Sequence, residues 1–326
     1  MKKFFIMLAA AVTVVSCAKE ETLSFDKGEA IQFGNAFIDN ATRVAADLVV
    51  DPSYSTSGNK GVALENFNVY GAVGGVNIFN GNLVEKDDAE YSAAWKLNGA
   101  KQYWIAGANY KFVGVVDGSK ENVTVITPDA SGLPASISYT VDGETDLLCD
   151  VVTINNATAP YSIVAFNYTH LLSKVKFSVK NNTGADATNY RFVLTEAKLT
   201  NVYKDGNYSV DTDAWTPGTE MREYNLDLLT INSNSSEYHN KEVLLIPGEA
   251  KVGVFVKADI EASDDNGQTW KKLSEVKKTF TEVVELKKAQ AYNFVVELGV
   301  GEEIQFTATT LPDWGDGDGE GDTVLK

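Results

Sequence analysis

Lys174-Val175-Lys176-Phe177-Ser178-Val179-Lys180 places Val175, Phe177 and Val179 at every second position, with lysine or serine between them. Successive side chains of an extended chain point to opposite faces, so this period of two predicts a β-strand with one buried face and one wet face. The run Asn181-Asn182-Thr183-Gly184, rich in turn formers, would end it. The same alternation recurs in both directions. Upstream it appears in Ile31-Gln32-Phe33, in Phe67-Asn68-Val69-Tyr70 and from Tyr110 to Val115. Downstream it continues from Arg191 to Leu199, Val243 to Ile246, Val252 to Ala258, Lys277 to Val284, Tyr292 to Leu298 and Ile304 to Ala308. Asp142-Gly143, Asp205-Gly206 and Asp265-Asn266-Gly267 read as hairpin turns. Helical periodicity is scarce. Strands spaced roughly 8–15 residues apart predict an all-β chain of antiparallel sandwiches rather than βαβ units. Thr169-His170-Leu171-Leu172-Ser173 is the weakest strand and reads as a single helical turn joining two sandwiches. A boundary there gives an N-terminal sandwich over residues 44–168 and a C-terminal one over 169–326, each with room for about seven strands.

Composition bounds the function. Of 326 residues, 44% are hydrophobic, 10% aromatic and 22% charged, which suits a globular chain with a sizeable core. Lysine and arginine total 28 against 45 acidic residues, a net charge of −17 with no basic run, so no nucleic-acid partner is expected. Two histidines and two cysteines leave no zinc-finger spacing, no HExxH site and no disulfide framework. No GxGxxG after a strand, GxxxxGK[ST] or GxSxG occurs, so the chain is expected to be neither an enzyme nor the holder of a cofactor. His170 and His239 have no nucleophile beside them and read as satisfied or surface residues. Asp87-Asp88 and Asp264-Asp265 sit in turn-like sequence and read as loop residues. In the acidic end, Asp316, Asp318, Glu320 and Gly321 imitate the opening of a calcium loop, but its twelfth ligand would fall beyond Lys326, so no metal site is expected. Alternate glycines and like charges make this end a solvated tail. Trp95, Trp104, Trp215, Trp270 and Trp314, with 14 tyrosines, supply either two sandwich cores or a sugar-binding platform, and core is the simpler reading.

The first residues concern destination. Lys2 and Lys3 precede the apolar run Phe4 to Val15, too short for the about 20 helical residues that span a membrane, so residues 1–16 read as a signal peptide. Ser16-Cys17 resembles a bacterial lipobox, in which the cysteine becomes the first mature residue and carries acyl chains, here a palmitate-type lipid on Cys17. Ala18-Lys19-Glu20-Glu21 resembles an export tag that sends lipoproteins to the outer-membrane surface. Losing residues 1–16 removes two lysines and no acid and leaves a net charge of −19, so lipid rather than charge would hold the chain at the membrane. Cys149 is then left without a disulfide partner. Only three arginines occur, and Arg43 lies in Asp39-Asn40-Ala41-Thr42-Arg43-Val44-Ala45-Ala46-Asp47, small and polar sequence just after the first strand. Such a stretch suits an exposed loop, where Arg43 is either an ordinary surface residue or a point at which an Arg-specific protease detaches residues 17–43.

Taken in order, these pieces resemble the FimA/Mfa-like fimbrillin family, the type V pilins of Bacteroidales. The resemblance rests on Cys17, on Ala30-Ile31-Gln32-Phe33 followed by Thr42-Arg43, and on the segment from Val164 to Phe177. Leu244-Leu245-Ile246-Pro247 and Ile304-Gln305-Phe306-Thr307-Ala308 with Asp313-Trp314 complete it. The resemblance implies two transthyretin-like β-sandwich domains, no enzymatic activity and a role as a fimbrial subunit in cell adhesion. It also implies processing between Arg43 and Val44, removal of the first strand, and filling of the opened groove by a strand from another fimbrial subunit. Ile304, Phe306, Ala308, Leu311 and Trp314 are the candidate donor positions. If that end stays packed in its own domain, a tip, an anchor or another non-polymerising surface subunit is implied instead. The rival from another class is a surface glycan-binding lipoprotein that stays uncleaved and uses clustered tryptophans and tyrosines.

Overall fold

A computed structural model describes residues 28–34, 37–38, 64, 66–86, 95–183, 189–232, 237–239, 242–300, 304–311 and 323–324. The chain is all-β. The strands of its first part are β1 (Phe37–Ile38), β2 (Asn66–Val73), β3 (Val76–Lys86), β4 (Trp95–Leu97), β5 (Tyr110–Val116), β6 (Val123–Ile126), β7 (Ser136–Thr140), β8 (Leu148–Ile154) and β9 (Asn167–His170). Those that follow are β10 (Ser173–Asn181), β11 (Tyr190–Tyr203), β12 (Asp205–Ser209), β13 (Ala214–Pro217), β14 (Met221–Asn225), β15 (Thr230–Ile231) and β16 (Glu237–His239). The last are β17 (Val243–Leu245), β18 (Lys251–Ala262), β19 (Lys271–Glu285), β20 (Ala291–Leu298), β21 (Gln305–Thr310) and β22 (Thr323–Val324).

Four sheets organise them. One runs β1-β9-β8-β5-β2-β3-β4 and another runs β16-β10-β20-β21-β22, with β17 also on β10. A third runs β14-β11-β18-β19, with β15 also on β11, and a fourth runs β13-β12-β7-β6. The fourth sheet takes β6 and β7 from before residue 168 and β12 and β13 from after it. Two apolar cores lie between these layers. The larger gathers Val113, Val115, Ile137 and Tyr139 with Phe177, Leu199, Val254 and Phe294. The smaller is rich in rings and holds Phe33, Phe67, Phe79, Phe112, Phe166 and Tyr168.

Several sequence expectations change at this level. The strand around Phe177 is present as β10, but its second face is only partly wet, with Lys176 and Lys180 half-buried. Lys174 and Ser178 are buried along with Val175, Phe177 and Val179. β10 is a central strand, flanked by β20 on one edge and by β16 and β17 on the other. The Lys174 ammonium is accommodated by Glu242 at 3.2 Å, and the Ser178 hydroxyl donates to Asn293 Oδ1 at 3.1 Å. β10 also pairs with β20 in parallel, as β1 does with β9, so two of the sheets are mixed rather than purely antiparallel.

The helical turn expected at 169–173 is absent: Thr169 and His170 end β9, and Ser173 begins β10. His170 is buried, with Nδ1 2.9 Å from Asp146 Oδ1, a partner that lies 24 residues away in sequence. Of the three expected hairpin turns, only Asp265-Asn266-Gly267 joins two paired strands, β18 and β19, with Asn266 at φ 56° and Gly267 at φ 85°. Asp205-Gly206 instead opens β12, which pairs with β7. Asp142-Gly143 lies in a tight loop that bridges to Leu244, where the Asp142 carboxylate accepts the Glu144 and Thr145 N–H groups, both at 2.9 Å.

Candidate assembly site

The segment from Gly28 to Gly34 is laid into the seven-stranded sheet's end of the molecule, between two other stretches of chain. On one side it runs antiparallel to residues 102–104: the Ile31 N–H donates to the Gln102 carbonyl at 2.8 Å, and the Trp104 N–H donates to the Glu29 carbonyl at 3.0 Å. On the other side it runs parallel to the chain leading into β9. The Val164 N–H donates to the Gln32 carbonyl at 2.9 Å, and the Gly34 N–H donates to the Val164 carbonyl at 3.1 Å. The parallel pairing resumes at β1, where Phe37 faces Asn167 and Ile38 faces Tyr168.

The alternation of Ile31-Gln32-Phe33 explains the seating. Ile31 and Phe33 are both 5% exposed while Gln32 between them is exposed. The Phe33 ring enters an aromatic trough built from four strands or their leads. It meets Phe79 edge-on at 5.4 Å, Phe112 edge-on at 6.0 Å and Phe67 edge-on at 6.4 Å, and it stacks on Phe166 at 6.3 Å. Trp104 closes the far end, stacked on Tyr161 at 5.3 Å and edge-on to Tyr110 at 4.8 Å. The four hydrogen bonds and two buried side chains hold the segment with on the order of 5–12 kcal/mol before ordering costs. Removing it would leave four backbone groups unpaired at a sheet edge beside an apolar slot, which is a template for another strand.

The C-terminal candidate strand is seated elsewhere. β21 pairs antiparallel with β20 on one edge and with β22 on the other. Ile304, Ala308 and Leu311 are buried, and the Phe306 ring lies 5.1 Å from Phe280 and 5.5 Å from Phe294. Ile304, Phe306 and Ala308 therefore line the larger core, whereas Phe33 lies in the smaller one. Cys17, Arg43, Val44, Trp314 and the acidic Gly/Asp run lie outside the described residues.

The tryptophans form no common platform among the described residues. Trp104 is buried, Trp95 packs on Phe67 at 5.3 Å, the Trp215 N–H donates to the Leu171 carbonyl at 2.6 Å, and Trp270 lies under the Arg191 guanidinium at 4.5 Å. Sequence reasoning picked out Phe33 only as part of a strand. Its aromatic partners are spread over Phe67, Phe79, Phe112 and Phe166, and no local pattern brings them together.

Among solved structures, a fimbrial protein from Bacteroides vulgatus superposes with a TM-score of 0.57 at 15% identity, covering 86% of this chain and 99% of its own. A candidate cell adhesion protein from Bacteroides uniformis gives a TM-score of 0.51 at 15% identity, covering 86% of this chain and 98% of its own. At such identity the likeness speaks for the fold. No curated protein matches the sequence. The profile of the Fimbrillin-like family matches residues 57–314, most of the chain, and the protein belongs to that family.

Proposed function

We propose that the chain is the precursor of a fimbrial subunit for cell adhesion, lipidated at Cys17, carried to the outer-membrane surface and matured by an Arg-specific protease cutting between Arg43 and Val44. Loss of residues 17–43 then empties the trough around Phe33, and a strand from another fimbrial subunit fills it. Within this reading the mature chain divides into transthyretin-like sandwiches over 44–168 and 169–326, and the donor strand carries Ile304, Phe306, Ala308, Leu311 and Trp314. The observation that carries the reading is the seating of Ile31 and Phe33, upstream of Arg43, in a groove of aromatic rings and otherwise unpaired backbone. An enzyme finds no support in a family of fimbrial structural and adhesion proteins.

Treating residues 18–326 with an Arg-specific protease tests it. Loss of the segment through Arg43, followed by SDS-resistant ladders or filaments, is the expected outcome; resistance at Arg43 overturns the reading. A second reading, a tip or anchor subunit that accepts a strand but donates none, is favoured by the pairing of β21 on both its edges. Clean cleavage with a persistent monomer selects it.

A further inference from the structure

The segment from Gly28 to Gly34 has an outer side as well as the side that enters the trough. Ala30 and Gln32 alternate with buried Ile31 and Phe33 and so point outward. On one flank Ala30 faces Tyr103 across the antiparallel bridge, and Tyr103 and Ile105 alternate with buried Trp104. On the other flank Ile163 precedes buried Val164, the parallel partner of Phe33, and lies beside Gln32. Three neighbouring stretches therefore share one outer face, on which Tyr103, Ile105 and Ile163 are 38%, 57% and 51% exposed. The sequence that builds it, residues 30–38, 102–110 and 151–169, contains no Asp, Glu, Lys or Arg, in a chain of which 22% is charged. Lys101, in line with Tyr103, is the charge at its rim. Neighbouring exposed apolar side chains of this kind mark contacts with protein or with a membrane. The path of the N-terminal stretch decides between the two. Gly28 lies against the Trp104 carbonyl, and Cys17 precedes it by eleven residues, which reach no more than about 40 Å even when fully extended. A lipid on Cys17 brings this face within reach of the bilayer that holds it.

We propose that in the unprocessed precursor this face rests on the lipid surface to which Cys17 is anchored, with Ile105 and Ile163 entering the acyl boundary and the Tyr103 hydroxyl lying among the headgroups. The inference rests on lipidation at Cys17 and adds what the anchored chain touches. A tyrosine suits this depth because one end of its ring is apolar and the other polar. At a net charge of −17 the chain as a whole is repelled by anionic headgroups, and a face whose side chains carry no acid is the one that can approach them. Lys101 at the rim extends its ammonium toward lipid phosphate while its stem stays against the apolar side chains. The acyl anchor keeps the face at high local concentration, so a few side chains suffice to orient the molecule. Ala30 and Gln32, in the middle of the face, belong to the segment that processing at Arg43 removes. Cleavage therefore takes away the lipid and the centre of the face together, and the maturing subunit leaves both contacts in one step.

Residues 17–326 carrying a single myristoyl chain, coupled through a maleimide to Cys17 while Cys149 is buried, test the proposal on vesicles of phosphatidylcholine with a minor share of phosphatidylglycerol. One acyl chain gives marginal, reversible binding, so the contribution of the face is read as a change in partition coefficient. The double variant Ile105→Asp with Ile163→Asp is expected to partition at least tenfold more weakly than the parent. Leu228→Asp with Leu273→Asp, which adds the same charge at exposed leucines elsewhere, should stay within about twofold of it. Ile105→Leu with Ile163→Leu should keep the parent value. Melting curves establish that each variant keeps the fold, and sedimentation velocity without vesicles reports self-association. Because the acyl chain is attached chemically, a failure of the face leaves lipidation in the cell and cleavage at Arg43 standing, and both are read separately from the mass of the cell-derived protein. The proposal is overturned if the two aspartate pairs partition alike. It is also overturned if the parent self-associates without vesicles and the Ile105/Ile163 aspartate variant does not, which would give the face to a second copy of the chain.

Discussion

Asp265 organises the turn between β18 and β19 with one carboxylate. It accepts the Gln268 N–H at 3.0 Å, the Thr269 N–H at 2.8 Å and the hydroxyls of Ser263 and Thr269. These donors, the Thr269 hydroxyl first, hold its carboxyl well below the usual range. A carboxyl whose pKa is lower folded than unfolded stabilises above the unfolded value of about 3.9, and that contribution is lost as pH falls. Asp265→Asn should therefore be least stable relative to the parent near neutral pH, with the gap closing below about pH 4 in urea titrations at several pH values. A gap that is constant with pH would sink the argument. Cys149 is the complementary case. Burial, helped by Asp150 and Asp213, pushes its thiol up to about 12, so almost none is thiolate at pH 8. In residues 18–326, where it is the only cysteine, iodoacetamide should label it on unfolding and leave the native protein untouched over an hour. Labelling at the rate of a free thiol would show that β8 opens readily.

The N-terminal strand is the element on which the proposed assembly turns, and Phe33 is its anchor. Phe33→Ala removes a ring held by four others, and substitutions of this kind cost about 3–5 kcal/mol. If the segment is a replaceable insert, a chain lacking residues 1–43 should melt well below the parent. A synthetic peptide of residues 28–38 should restore the melting temperature, and the same peptide with the Phe33→Ala change should not. Equal rescue by both peptides would mean that backbone pairing alone, not the aromatic slot, selects the strand. How much of this was legible in the sequence follows from the range of the interactions involved. The alternations around Phe33, Phe67 and Phe177 announce strands because facing is a local property. Which strands are neighbours is not local: the parallel match of β10 to β20 joins residues more than a hundred positions apart, and nothing within 174–180 records it. Lys174 and Ser178 looked solvent-facing for the same reason, since Glu242 and Asn293, which receive them, lie far along the chain. The turn reading of Thr169 to Ser173 failed because the partners that hold its ends as strand, Cys149 for Thr169 and Leu245 for Ser173, are distant in sequence.

For the whole molecule, the decisive fact is that the larger core ignores the midpoint of the chain. Val113, Val115, Ile137 and Tyr139 pack with Phe177, Leu199 and Phe294, and β7 pairs with β12 through five consecutive residues from Ser136 to Thr140. The loop from β7 to β8 adds polar ties, with the Arg222 guanidinium donating to the Val141 carbonyl and the Leu244 N–H to the Gly143 carbonyl at 2.9 Å. Separating the parts on either side of residue 168 would expose apolar surface and an unpaired sheet edge on both, a loss far larger than the few kcal/mol by which folded domains exceed unfolding. The chain should then unfold as one cooperative unit. Calorimetry of residues 18–326 is expected to give a single transition, with calorimetric and van't Hoff enthalpies in agreement. Ile137→Ala, at the seam, should shift that whole transition downward without splitting it. Two resolved transitions in the parent would mean that the shared sheet is a weak contact between independently stable sandwiches. Strand replacement at the Phe33 trough would then leave the rest of a fimbrial subunit unaffected, instead of being felt through to β21.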